Sequence, residues 1–117
     1  MRTVYTIAFS EDRFLMVYNP KRNGWEMPGG KAEDNEKDYE AAIREYREES
    51  GYNIKIIDSQ ELNGCRVFAA LLGSKLRNGE MRTELFTELP DELAFDRSEY
   101  DNVMEWARSV MDKKVKG

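Results

Sequence analysis

A mixed α/β fold, with a β-sheet packed between helices, is the class this sequence predicts. The main observation is the order of its segments: two runs rich in β-branched and aromatic residues, a densely charged helical run, further strand-like runs, and a closing amphipathic helix. The second is an apolar content of 40% over 117 residues, enough to bury one core and therefore read as one domain spanning 1–117.

Taken in order, "RTVYTIAFS" and "RFLMVYN" read as antiparallel strands joined by a short polar turn. "NPKRNGWEMPGG" carries proline and glycine punctuation, so a loop is expected, interrupted at most by a short strand at Trp25 to Met27. A helix is expected from Glu36 or Lys37 to Ser50, with Asp34 or Asn35 as N-terminal cap and Gly51 as left-handed C-terminal residue. "YNIKIIDSQEL" and "CRVFAALLGSKL" then read as strands joined at Asn63 and Gly64. "RNGEMRTELFTEL" offers a second Asn-Gly turn and a strand near Glu84 to Thr87. The last helix places Tyr100, Val103, Met104, Ala107, Val110 and Met111 on one stripe, and "DKKVKG" reads as a frayed tail.

Composition narrows the chemistry. The net charge is −5 with basic residues scattered among acidic ones, which argues against a long nucleic acid as partner. A nucleotide held through a metal ion is compatible with that charge, because the cation screens phosphate from carboxylate. Lone Cys65 and the absence of histidine exclude an internal disulfide and a zinc site, and favour a reducing, cytoplasmic setting. There is no apolar run of the ~18 residues that a membrane span needs, and no export signal is read. Acid–base work falls to Glu, Asp, Lys or Tyr.

On a helical projection, Tyr39, Ala42, Ile43, Tyr46 and Ser50 form the face expected to be buried, and Glu45, Glu48 and Glu49 fall on the adjacent stripe. Each like-charge pair at this spacing costs the helix ~0.2–0.5 kcal/mol, partly relieved by Arg44 four residues before Glu48. A solvated charged face is one explanation. A divalent cation such as Mg²⁺ or Mn²⁺, which takes carboxylate oxygens and bridges to phosphates, is the other. Pro28, Gly29 and Gly30 favour the second, since that loop allows close backbone approach by a ligand.

These residues match the Nudix box, G-x5-E-x7-R-E-U-x-E-E-x-G-U, at Gly30, Glu36, Arg44, Glu45, Glu48, Glu49 and Gly51. The bulky apolar positions hold Tyr46 and Tyr52 where aliphatic residues are usual, and "WEMPGG" resembles the usual lead-in. The chain thus resembles the Nudix family, which implies an α/β/α sandwich and Mg²⁺- or Mn²⁺-dependent hydrolysis of nucleoside diphosphate-linked substrates. The resemblance implies that Glu48 and Glu49 hold metal, that Glu45 is a further ligand or positions the attacking water, and that the Gly30 carbonyl can complete the shell, while Glu36 and Arg44 orient the carboxylates. A general base outside the box is expected at Glu80 first and Glu84 second.

Chain length and a weak likeness of "ELFTELPDELAFD" to small oxidised-guanine triphosphatases favour a MutT-like reading. The expected substrate is an ordinary or oxidised purine nucleoside triphosphate, yielding monophosphate and pyrophosphate. ADP-ribose, an RNA 5′ end, a dinucleoside polyphosphate, or a silent nucleotide-binding module are the alternatives. Aromatic candidates for base stacking are Tyr5, Phe9, Trp25 and Phe68. Phe95, Asp96 and Ser98 are candidates for base contact, and Lys21 and Arg22 for the phosphate tail; the sequence assigns no oligomeric state.

Overall fold

The computed structural model describes residues 2–116. In chain order the elements are β1 (Thr3–Ser10), β2 (Arg13–Asn19), β3 (Gly24–Glu26), β4 (Gly29–Lys31), α1 (Asp38–Ser50), β5 (Tyr52–Leu62), β6 (Cys65–Lys75), β7 (Arg82–Phe86) and α2 (Ser98–Lys116). Among the described residues the seven strands form one mixed sheet, ordered β3-β2-β1-β6-β5, with β4 also on β1 and β7 also on β2. The β1–β6 pair is parallel, running from Thr3↔Cys65 to Phe9↔Leu71, and the other strand pairs are antiparallel.

β1 is covered on both faces, which explains its near-continuous apolar run. Val4 and Ala8 point to the α1 side, where Ala41, Ala42 and Tyr46 meet them. Ile7 and Phe9 point the other way, into a core closed by Val103, Ala107 and Val110 of α2. The stripe expected on the last helix is the stripe it buries. The β5–β6 turn at Asn63 and Gly64 has φ of 51° and 81°, the left-handed pair a two-residue hairpin requires.

Several expectations need correction. Gly29–Lys31 is a strand, not loop, pairing with the first half of β1 through Thr3↔Lys31 and Tyr5↔Gly29. The helix begins at Asp38, and neither Asp34 nor Asn35 caps it. Asn35 (φ 70°) instead sits in a turn closed by Glu36 N–H on the Glu33 carbonyl (3.0 Å), and Glu40 reaches back to accept the Lys37 N–H (2.9 Å).

Tyr39 is 47% exposed, while Ala41 is buried, so small residues bring the helix close to the sheet. Asn78 and Gly79 do not make a hairpin, because the following strand pairs with β2 instead of β6 and spans 82–86, not 84–87. The tail read as frayed is helical to Lys116, with Gly117 outside the described residues. No glycine or proline interrupts that helix, and Lys113 and Lys114 suit its C-terminal part. Among the described residues no helix is long and apolar enough to cross a membrane.

Candidate functional site

The site is built where the second half of α1 faces β4. Gly51 ends the helix with φ 84°, and its N–H bonds the Arg47 carbonyl (2.8 Å). The chain then returns along the helix end: Glu80 and Met81 donate their backbone N–H groups to the carbonyls of Glu48 and Glu49, each at 3.0 Å. Gly79 is pressed so close to Glu49 and Ser50 that a Cβ would strike their backbone. The carboxylate-bearing turn is therefore clamped from outside. On the inner side, Gly29 N–H donates to Glu49 Oε1 (3.0 Å), and a Cβ on Gly30 would collide with Glu45 Oε2.

Arg44 organises the charges. Its Nε and Nη2 grip Glu36 as a fork (2.7 and 2.9 Å), while Nη1 reaches Glu45 (2.6 Å) and Glu48 (3.1 Å) and Nη2 also donates to the Lys31 carbonyl (3.2 Å). This grip lowers the Glu36 pKa to about 2, with the Glu33 N–H assisting. The same contacts raise the pKa of the guanidinium. Burial pushes Glu45 up despite Arg44 beside it. Burial also raises Glu49 to about 8; the Gly29 N–H works against that rise, and the charges of Glu45, Glu26 and Glu80 add to it.

Glu45, Glu48 and Glu49 share a face, yet among the described residues no three metal-ligating side chains stand grouped around one point. Arg44 holds Glu45 and Glu48, and Gly29 holds Glu49. The donor set nonetheless suits a hard divalent cation. A carboxyl raised by burial, with like charges adding to the rise, is relieved by a cation, and the volume a Gly30 side chain would fill belongs to Glu45.

From this end a cleft of about 460 Å³ runs past Gly29, Gly30, Glu45 and Glu49 to Tyr5, Tyr100 and Phe95. Arg22 and Phe95 both line it, with the guanidinium 5.1 Å from the ring centre. Tyr5 and Tyr100 meet edge to face (6.0 Å), and Tyr100 Oη accepts the Met27 N–H (3.4 Å).

The remaining expected contacts lie elsewhere. Trp25 is 6% exposed and packs in the α2-side core against Tyr18 and Phe86, with Arg82 over its ring. Phe9 and Phe68 are also core residues. Asp96 caps α2 by accepting the Ser98 N–H (2.9 Å) and hydroxyl (2.8 Å), so both are occupied as helix-start chemistry. Lys21 is exposed, and only its backbone is fixed, by Asn19 Oδ1 (3.0 Å). Glu80 is exposed and near enough to raise both Glu45 and Glu49 electrostatically, whereas Glu84 sits on β7 opposite Met16.

Sequence reasoning passed over two cleft residues, Asn19 and Glu26, each 7% exposed. The signal was available. Neighbouring residues of a strand face opposite ways, so a buried Trp25 turns Glu26 toward the cleft.

Comparison with known proteins agrees with this geometry. A family model described as the NUDIX domain matches residues 1–108. The uncharacterized Nudix hydrolase YvcI of Bacillus subtilis is 41% identical over 67 residues, which are 57% of this chain and 40% of that protein's length.

Among solved structures, the B. subtilis pyrophosphohydrolase BsRppH superposes with a TM-score of 0.72 at 22% identity, covering 97% of this chain and 82% of that one. A NUDIX hydrolase from Nitrosomonas europaea also gives 0.72, at 24% identity, covering 91% and 69%. A MutT structure, from work on the Aliivibrio salmonicida and Vibrio cholerae proteins, gives 0.62 at 20% identity, covering 91% and 94%. The structures establish the common fold, the family model spans most of the sequence, and the chain belongs to the Nudix hydrolase family.

Proposed function

We propose that the protein hydrolyses a pyrophosphate bond in a nucleoside diphosphate-linked substrate, with a purine nucleoside triphosphate as leading substrate. The observation that carries this is the continuity of the cleft. Carboxylates and close-approach glycines lie at one end, and aromatic surface with an arginine at the other. One space of about 460 Å³ would thereby take both phosphates and a base.

Glu45, Glu48, Glu49 and the Gly30 carbonyl would hold Mg²⁺ or Mn²⁺. When bound, such an ion supplies charge neutralisation for the reacting phosphates and activation of water. The chain's own residues do the positioning. Glu36 keeps Arg44 oriented through the forked contact, which would leave Arg44 anchored if Glu45 and Glu48 were engaged by a cation. Gly30 leaves room for Glu45, and the backbone bonds to residues 80 and 81 fix the turn carrying Glu48 and Glu49. Glu80, tethered there by its own N–H, is the first choice as proton acceptor for the attacking water, and Glu84 the second.

Replacing Glu48 tests this. Its side chain is 41% exposed and among the described residues partners only Arg44, so Glu48→Gln keeps the fold. With Mg²⁺ and a nucleotide panel, release of phosphate and pyrophosphate should fall by at least about a hundredfold, with an unchanged thermal melt. Turnover retained in the variant would overturn the assignment.

A further inference from the structure

Glu26 is a buried carboxylate whose only side-chain partner among the described residues is Arg22, and it lines the same cleft as Glu45 and Glu49 without belonging to the box. We propose that Glu26, with Arg22 and Asn19, reads the base of the substrate and selects guanine-type over adenine-type nucleotides. The inference rests on the pyrophosphohydrolase reading of the site and names the base it takes.

Strand β3 is held on both sides. It pairs with β2 through Val17↔Glu26, while Trp25 N–H bonds the Glu92 carbonyl (2.8 Å) and Ala94 N–H bonds the Trp25 carbonyl (2.9 Å). Gly24 permits that approach, since a Cβ there would strike the backbone of Leu93 and Ala94. Glu26 and the 93–95 segment bearing Phe95 are thus fixed relative to each other. A reading group must sit on such a rigid frame.

The hydrogen-bonding chemistry is specific. One Arg22 nitrogen, Nη1, contacts both Glu26 oxygens at 3.1 and 3.4 Å, instead of two nitrogens forming a fork. A carboxylate has about four lone-pair positions, so this contact leaves acceptor capacity directed elsewhere. Asn19 Oδ1 is taken by the Lys21 N–H, which leaves its amide NH₂ as a donor. The end of the cleft therefore offers a carboxylate acceptor beside amide and guanidinium donors.

Guanine presents two adjacent donors, N1–H and the 2-amino group, next to the O6 acceptor. Adenine presents a lone pair at N1, which a carboxylate repels. An oxidised guanine keeps the same edge as guanine, so this subsite treats the two alike. Phe95, 38% exposed beneath the Arg22 guanidinium, supplies ring surface at the same end.

The bland account makes Arg22–Glu26 a clasp on the β2–β3 turn. Removing such a clasp changes stability without changing base preference, so the ratio between bases separates the two accounts. The experiment compares kcat/KM for GTP, ITP and ATP with Mg²⁺ in the wild type and in Glu26→Gln. It also measures binding of the α,β-methylene analogues of GTP and ATP by calorimetry.

The expected wild-type preference for GTP over ATP is about tenfold or more, with ITP between them because it lacks the 2-amino group. Glu26→Gln should bring the ratio close to one, chiefly through KM. Equal use of GTP and ATP by the wild type, or an undiminished preference in Glu26→Gln, would overturn the proposal. If no nucleotide is hydrolysed, the pyrophosphohydrolase reading fails by itself, and the binding ratio of the two analogues still decides the base preference.

Discussion

Gly30 carries no side chain because Glu45 fills the volume one would occupy. The residue lies in a strand and has no left-handed φ, so alanine fits its backbone. The obstacle is the mobile end of a glutamate, which moves aside at small cost. Gly30→Ala should therefore change stability by less than about 1 kcal/mol. Its effect belongs to the displaced Glu45: the Mg²⁺ concentration for half-maximal activity should rise, and kcat/KM should fall by about tenfold or more. A Mg²⁺ titration identical to wild type would show that Glu45 placement is not what the glycine protects. At this scale the box positions were legible because spacing alone puts Glu45, Glu48 and Glu49 on one stripe. Glu26 was not, since a strand of three residues is too short to display its alternation, and Trp25 drew attention to the wrong face.

The helix carrying these glutamates is set by its end more than by its stripe. Gly51 has φ 84°, and a Cβ there would also strike the Arg77 carbonyl; the Gly51 carbonyl meanwhile accepts from Leu76 (2.8 Å). Gly51→Ala should cost more than about 1 kcal/mol in urea unfolding, as a left-handed non-glycine residue adds to the collision. Activity should drop with it, because the 76–81 segment that holds the Glu48 and Glu49 carbonyls must shift. Unchanged stability would mean that the C-terminal cap is dispensable. Both helices, the longer strands and the Asn63–Gly64 hairpin were readable because their signals are local, whereas Gly29–Lys31 reads as loop and becomes a strand only by pairing with β1. The Asn78–Gly79 reading failed because β7 finds its partner in β2, far back in the sequence, and a turn dipeptide says nothing about which strand comes next. The start of α1 slipped for a related reason: Asn35 does have turn chemistry, but the turn it makes precedes the helix.

Across the whole molecule the net charge is −5, and Glu26, Glu45 and Glu49 line one cleft, so stability should depend jointly on pH and on a divalent cation. Glu49 in the folded, metal-free chain titrates at about 8, chiefly through burial, against an ordinary glutamate value near ~4.3 when unfolded. Between these values the folded chain keeps a proton that the unfolded chain has lost. The contribution is therefore full below about pH 4 and is lost as pH rises toward 8. Glu36, lowered to about 2 by Arg44, acts oppositely: its contribution is present above the ordinary glutamate range and is lost only in strong acid. In chelator the melting temperature should fall by several °C between pH 5 and pH 8.5. A cation binds the deprotonated carboxylates, so the stabilisation by Mg²⁺ should be small at pH 5 and large at pH 8.5. Glu49→Gln should flatten both trends, because an amide carries no proton to lose. Thermal melts at the two pH values, with chelator and with Mg²⁺, measure all of this. A melting temperature that rises with pH in chelator, or a Mg²⁺ increment equal at both pH values, would break the link between Glu49 and the metal.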